Sequence, residues 1–174
     1  MTLAAPTTDI DTDHNGRRCL ILACGNTLRS DDGFGPWLAH WASERFQSER
    51  GVRVLCSQQW TPELAYEISQ SESVIFIDCA MNLSPGSIRL IAVVPGKEAL
   101  GLATHHLDAS QLLSLAKELY GAVPRSSVLL TIGAGSLELC EGFSEAVQAA
   151  LPEACAQLET TMLRMLADSD GQRA

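Results

Sequence analysis

Runs of uninterrupted apolar residues alternate along this chain with stretches whose apolar residues recur at helical spacing. Cys19-Leu-Ile-Leu-Ala-Cys24 is apolar throughout, as expected of a strand covered on both faces. Val52 to Leu55 and Val74 to Ile77 read the same way, the latter ending at Asp78. Two further strands are predicted at Ser87 to Val94, after Gly86, and at Val128 to Ile132. Between them, Trp37, Leu38, Trp41, Ala42 and Phe46 fall on one helical face. Thr61-Pro62 supplies a capping hydroxyl and a first-turn proline for a helix to about Ser69. Asp108 caps a helix with the apolar face Leu112, Leu115, Ala116 and Leu119, stopped by Gly121. Ser144 opens a last helix. Pro152 is expected to restart it, with Leu158, Met162 and Met165 continuing its stripe.

Strands alternating with amphipathic helices predict an α/β fold, a single three-layer domain. Its sheet of about five strands is mostly parallel. Right-handed crossovers place helices on both faces. The strand at 87–94 follows its predecessor too closely for a helical crossover, so an antiparallel edge position is expected. Residues 1–18 read as a loose tail, 19–167 as the domain and 168–174 as a polar C-terminal tail.

The composition narrows the partners. Lys plus Arg is 12 against 21 Asp plus Glu, a formal charge of −9 over 174 residues. Such a field attracts no phosphate backbone, and no basic run occurs, so nucleic acid is not expected. No apolar stretch reaches the ~18 residues of a membrane span. Arg17-Arg18 precedes an apolar run too short for a signal core, and Asp9, Asp11 and Asp13 spoil a basic start. A cytoplasmic protein is expected. Cys19, Cys24, Cys56, Cys79, Cys140 and Cys155 show no C-x-x-C pair and read as reduced structural thiols.

In an open α/β sheet, ligands bind beyond the carboxyl ends of the strands, where strand order reverses. For a 2-1-3 order that point lies between the first and third strands. The loop Gly25-Asn-Thr-Leu-Arg-Ser-Asp-Asp-Gly-Phe-Gly35 follows the first strand and Asp78 ends the third. Asp31, Asp32 and Asp78 therefore meet at the switch point. Helix capping by Asp31 and Asp32, and backbone hydrogen bonds to Asp78, account for the same residues and remain open from the pattern alone. A phosphate cradle is disfavoured, because both glycine-rich nucleotide motifs are missing and two aspartates would repel phosphate. His105 and His106 lie in a loop near the same edge, and two carboxylates with one imidazole make an open site for a divalent transition metal. His40 reads as an exposed helix residue paired with Glu44, and His14 belongs to the tail. Ser114-x-x-Lys117 matches a nucleophile motif in form only, without its companions and on the expected polar side of a helix. G-x-S-x-G and H-E-x-x-H are absent.

The loop from Gly25 to Gly35 resembles the signature of the nickel-iron hydrogenase maturation endopeptidases, close to G-x-G-N-x-L-x-x-D-[DE]-x-x-G. The resemblance covers roughly residues 19–166. It includes Thr61-Pro-Glu-Leu64, Ile75-Phe-Ile-Asp78, Thr104-His-His-Leu107 and Gly142-Phe-Ser144. Ala23 departs from the first glycine of the signature, and Cys140 stands where glycine is common. The resemblance implies metal-contacting roles for Asp32, Asp78 and His105, with His106 as the rival histidine. It implies no assigned catalytic nucleophile, and Asp31 is a loop brace in preference to a base.

The implied activity is removal of a C-terminal extension from a nickel-iron hydrogenase large-subunit precursor after nickel insertion. Nickel is then carried by the substrate rather than held permanently, and Cys79, turned to the opposite face from Asp78, is no fourth ligand. The competing readings are a non-catalytic metal-dependent binding module or chaperone for a metalloenzyme precursor, and a nucleotide-binding α/β protein.

Overall fold

A computed structural model describes residues 17–96 and 107–171. Five strands form one sheet: β1 (Arg17–Cys24), β2 (Val52–Ser57), β3 (Ser71–Ala80), β4 (Ile88–Ala92) and β5 (Ser126–Gly133). Their order is β2-β1-β3-β5-β4. All pairs are parallel except β4 with β5, so β4 is the expected antiparallel edge. The helices are α1 (Phe34–Arg45), α2 (Leu64–Ser69), α3 (Ala109–Tyr120) and α4 (Glu145–Gly171).

Side-chain alternation along β1 and β3 divides the core into two halves. Cys19, Ile21, Ala23, Ile75 and Ile77 pack with Phe34, Leu38 and Ala42 of α1 and Leu158, Met162 and Met165 of α4. Leu20, Leu22, Cys24, Val74 and Phe76 pack with Ala65 and Ile68 of α2 and Leu112, Leu113 and Ala116 of α3. The chain leaves β1 toward β2 on one side and returns to β3 on the other. Right-handed crossovers therefore put α1 and α2 on opposite faces.

Local chemistry explains most boundaries. Asp108 accepts from the Gln111 N–H at 2.8 Å, and the Asp108 N–H donates to Gln111 Oε1 at 2.9 Å. This capping box starts α3, and Gly121 ends it at φ 68°. The N–H groups of Leu64, Ala65 and Tyr66 donate in succession to the carbonyls of Thr61, Pro62 and Glu63 and wind the chain into α2.

Several expected details are corrected. β3 continues through Asp78 to Ala80, because β5 supplies partners that far along. In α3, Leu113 is buried, whereas Leu119 in the last turn is exposed because no described residue covers the stripe there. Ser114 is not on a polar face: it is buried, and its hydroxyl donates to the Ser110 carbonyl at 2.9 Å and the Gly96 carbonyl at 3.1 Å. Pro152 does not restart the last helix but lies inside it. Both Pro152 and Gln148 are exposed, so water can take the carbonyl that proline leaves unbonded. Buried residues from Val147 to Leu166 anchor both halves of α4. The ordered elements also extend beyond 19–167, since β1 begins at Arg17 and α4 reaches Gly171, with Ser169 buried and bonded to Glu72. Among the described residues, no helix is long and apolar enough to cross a membrane.

Candidate active site at the sheet switch point

β1 and β3 diverge into different loops at their carboxyl ends. A cavity of about 370 Å³ opens there, lined by Cys24, Gly25, Asp32, Gln58, Gln59, Trp60, Asp78, Leu107 and Asp108. Asp32 and Asp78 thus share one cavity at the position where strand order reverses. His105 and His106 lie outside the described residues, as does His14. His40 is an exposed helix residue with Nε2 3.6 Å from Glu44 Oε1. Among the described residues, no group of three or more His, Cys, Asp or Glu is arranged to hold a metal ion.

The loop after β1 reaches the cavity through close backbone packing. Gly25 has φ 142°, and a Cβ there would collide with the Asp32 carbonyl. Gly35 lies so close to the Cys24 carbonyl that a Cβ has no room. Ser30 adopts φ 49°, and its N–H donates to the Cys140 carbonyl at 2.8 Å. A short 3-10 turn over Ser30–Gly33 then carries the two aspartates in different directions.

Neither aspartate caps α1, whose first turn has no side-chain cap. Asp31 is fully buried and turns toward the loop that follows β5. Its Oδ2 accepts from the N–H groups of Gly135 at 2.7 Å and Ser136 at 2.9 Å, and its Oδ1 from that of Ser144 at 2.7 Å. Burial alone would raise its pKa, but Ser144, Ser136 and Gly135 together hold the carboxyl below its ordinary range.

Asp32 Oδ2 accepts from the Asn26 N–H at 3.0 Å, and Oδ1 lies 3.5 Å from Cys79 Sγ. Asp78 Oδ1 accepts from Cys24 Sγ at 3.1 Å and from the Cys79 N–H at 2.8 Å. The register that opposes Ala23 to Ile77 puts Cys24 beside Asp78 on the same face. Cys79 packs on the opposite face, against the α1 and α4 side of the core. Burial pushes the Asp78 carboxyl above its usual range, with the Asp32 charge adding to it and the Cys24 and Cys79 hydrogen bonds opposing it.

The thiol contacts with the carboxylates, and the contribution of Trp60 and the two glutamines to the cavity wall, have no local signature in the sequence. Burial and the Asp78 charge raise the Cys24 pKa far above the ordinary thiol value, and burial with the Asp32 charge pushes Cys79 up to about 12. Both thiols therefore stay protonated as donors and are poor nucleophiles.

Comparison with known proteins settles the family. The family model described as hydrogenase maturation protease matches residues 43–161. This chain belongs to the hydrogenase maturation protease family. The matched segment contains Asp78 and Trp60, and Asp31 and Asp32 precede it. A hydrogenase expression/formation protein, HupM, of Azotobacter chroococcum mcd 1 is 29% identical over 142 residues, covering 79% of this chain and 68% of the relative. The hydrogenase 3 maturation protease of Escherichia coli (strain K12) is 29% identical over 108 residues, covering 60% and 67%. In fold, the chain is similar to the hydrogenase maturating endopeptidase HybD from E. coli, with TM-score 0.65 at 22% identity over 84% of this chain and 93% of that one. The HybD protease from Thermococcus kodakarensis gives TM-score 0.57 at 24% identity, over 83% and 98%. The chain is an enzyme of the maturation-protease kind, and the expected α/β architecture is that of these structures.

Proposed function

We propose that this member of the family is an endopeptidase that removes the C-terminal extension of a nickel-iron hydrogenase large-subunit precursor after nickel insertion. The observation that carries the reading is the shared cavity of Asp32 and Asp78 at the switch point. Their chemistry suits a divalent cation brought by the substrate. Asp78 Oδ1 is occupied by the Cys24 thiol and the Cys79 N–H, whereas Oδ2 accepts no hydrogen bond from a described residue. Among the described residues, Asp32 Oδ1 has only a long thiol contact.

With the imidazole of His105, or of its rival His106, these carboxylates make a three-donor set that leaves coordination positions open. The precursor's own nickel ligands fill the remaining positions. Contact with nickel then marks the precursor as ready and orients the bond to be cut. Asp31 acts at one remove, as a positioning residue that ties the Asp32 loop to the loop after β5.

The test is to incubate the protein with nickel-loaded and nickel-free precursor and weigh the products. Shortening of the loaded precursor alone is expected. Cleavage of both forms at equal rates would refute nickel recognition, and stoichiometric binding without cleavage would favour a chaperone.

A further inference from the structure

One residue in the cavity wall, Trp60, carries a polar group that neither the fold nor the carboxylates use. Trp60 lines it and is only 8% exposed. Its ring packs edge-on against the fully buried Phe76, with centroids 5.3 Å apart. Its Nε1–H is buried and has no hydrogen-bond partner among the described residues. A buried indole N–H ordinarily finds an acceptor, because an orphaned donor forfeits its hydration without return. The other orphan of this kind among the described residues, Arg18 Nε, belongs to a guanidinium that donates through Nη2 to the Leu166 carbonyl at 2.7 Å and lies 2.6 Å from Asp170 Oδ2. Trp60 has no such second donor.

The ring's packing needs no N–H, since a phenyl group would serve the same apolar contacts. The unused donor instead marks a place for an acceptor that arrives from outside. The surroundings define that acceptor. Asp32, Asp78 and Asp108 line the same cavity, so an anionic group would be repelled. Gln58 and Gln59, immediately before Trp60, offer neutral amides that both donate and accept. A neutral carbonyl flanked by N–H groups fits this set, and a peptide backbone presents that pattern.

Resting on the peptidase reading above, we infer that Trp60 Nε1–H, with the amides of Gln58 and Gln59, forms a subsite for a backbone carbonyl of an extended substrate segment beside Asp32 and Asp78. The subsite binds and aligns the chain and takes no part in bond breaking.

The experiment pairs a kinetic and a spectroscopic measurement on the full chain. Trp60→Phe keeps the ring and deletes the donor. It is expected to lower kcat/KM for nickel-loaded precursor by about tenfold, carried by KM rather than kcat, since the bond serves ground and transition state alike. Its thermal stability should equal or exceed that of the parent protein, because an unsatisfied donor has gone. In the parent protein, the Trp60 indole proton resonance, assigned by elimination with Trp37→Phe and Trp41→Phe, should move downfield when precursor is added. A wild-type KM in Trp60→Phe, or a stationary indole resonance while the parent protein cuts the precursor, would overturn the subsite. If Trp60→Phe fails to fold, the resonance decides alone. A precursor left uncut while the resonance still moves would sink the peptidase reading and keep the carbonyl subsite; uncut precursor with no movement would overturn both.

Discussion

Asp31→Asn is the sharpest test of how the site is held. The exchange preserves shape but leaves a single acceptor oxygen. In the best orientation that oxygen keeps Gly135 and Ser136, and the new NH2 group faces the Ser144 N–H, which now sits at 2.7 Å from Asp31 Oδ1. A buried donor left facing another donor costs about 1–3 kcal/mol. The two surviving bonds lose their charge, at roughly 0.5–1 kcal/mol each. The sum is about 3 kcal/mol, which in a chain of this size lowers the melting temperature by ~6–12 °C. The effect has a pH signature. The Asp31 pKa is lowered by folding, so its contribution is complete above the unfolded value of about 4 and is lost as pH falls through the folded value. Thermal denaturation of both proteins at neutral pH and in acid measures this difference. The gap should be widest at neutral pH and shrink in acid. Processing assayed well below the variant's melting temperature should survive in part. An Asp31→Asn protein with unchanged melting temperature and no processing would refute the brace and make Asp31 a base.

Asp32→Ala and Asp78→Ala should each abolish processing, read by product mass, while shifting stability by no more than ~1 kcal/mol, since both side chains open onto the cavity; full processing by either would remove it from the proposed donor set. His105→Ala and His106→Ala, assayed side by side, should separate, with loss of processing in His105→Ala and retention in His106→Ala; the reverse would transfer the role to the rival. Protein purified without chelator should contain less than stoichiometric nickel and bind added nickel weakly by calorimetry, because two carboxylates and an imidazole leave the coordination shell open, whereas a tight one-to-one site would contradict a substrate-borne metal.

Local sequence was sufficient wherever the physics is local. The apolar runs of β1 and β3 require a strand covered on both faces, and Asp108 and Gly121 bracket α3 through bonds made within a turn. The switch point followed from strand order, and with it the placement of Asp32 and Asp78 in one cavity. Pro152 and Leu119 were misread because a proline's effect depends on what faces its unbonded carbonyl, and a leucine's burial on what covers it. The contacts of the site lay further from view. Asp31 meets Gly135 and Ser144 across more than a hundred residues. Cys24 reaches Asp78 only because β1 and β3 pair in their particular register. Trp60 reads in sequence as any apolar residue, and its unused N–H exists only in the folded cavity. Period and capping are written within a few residues of one another. Hydrogen-bond satisfaction and cavity shape depend on groups that only chain folding brings within 3 Å, and so tertiary structure alone decided them.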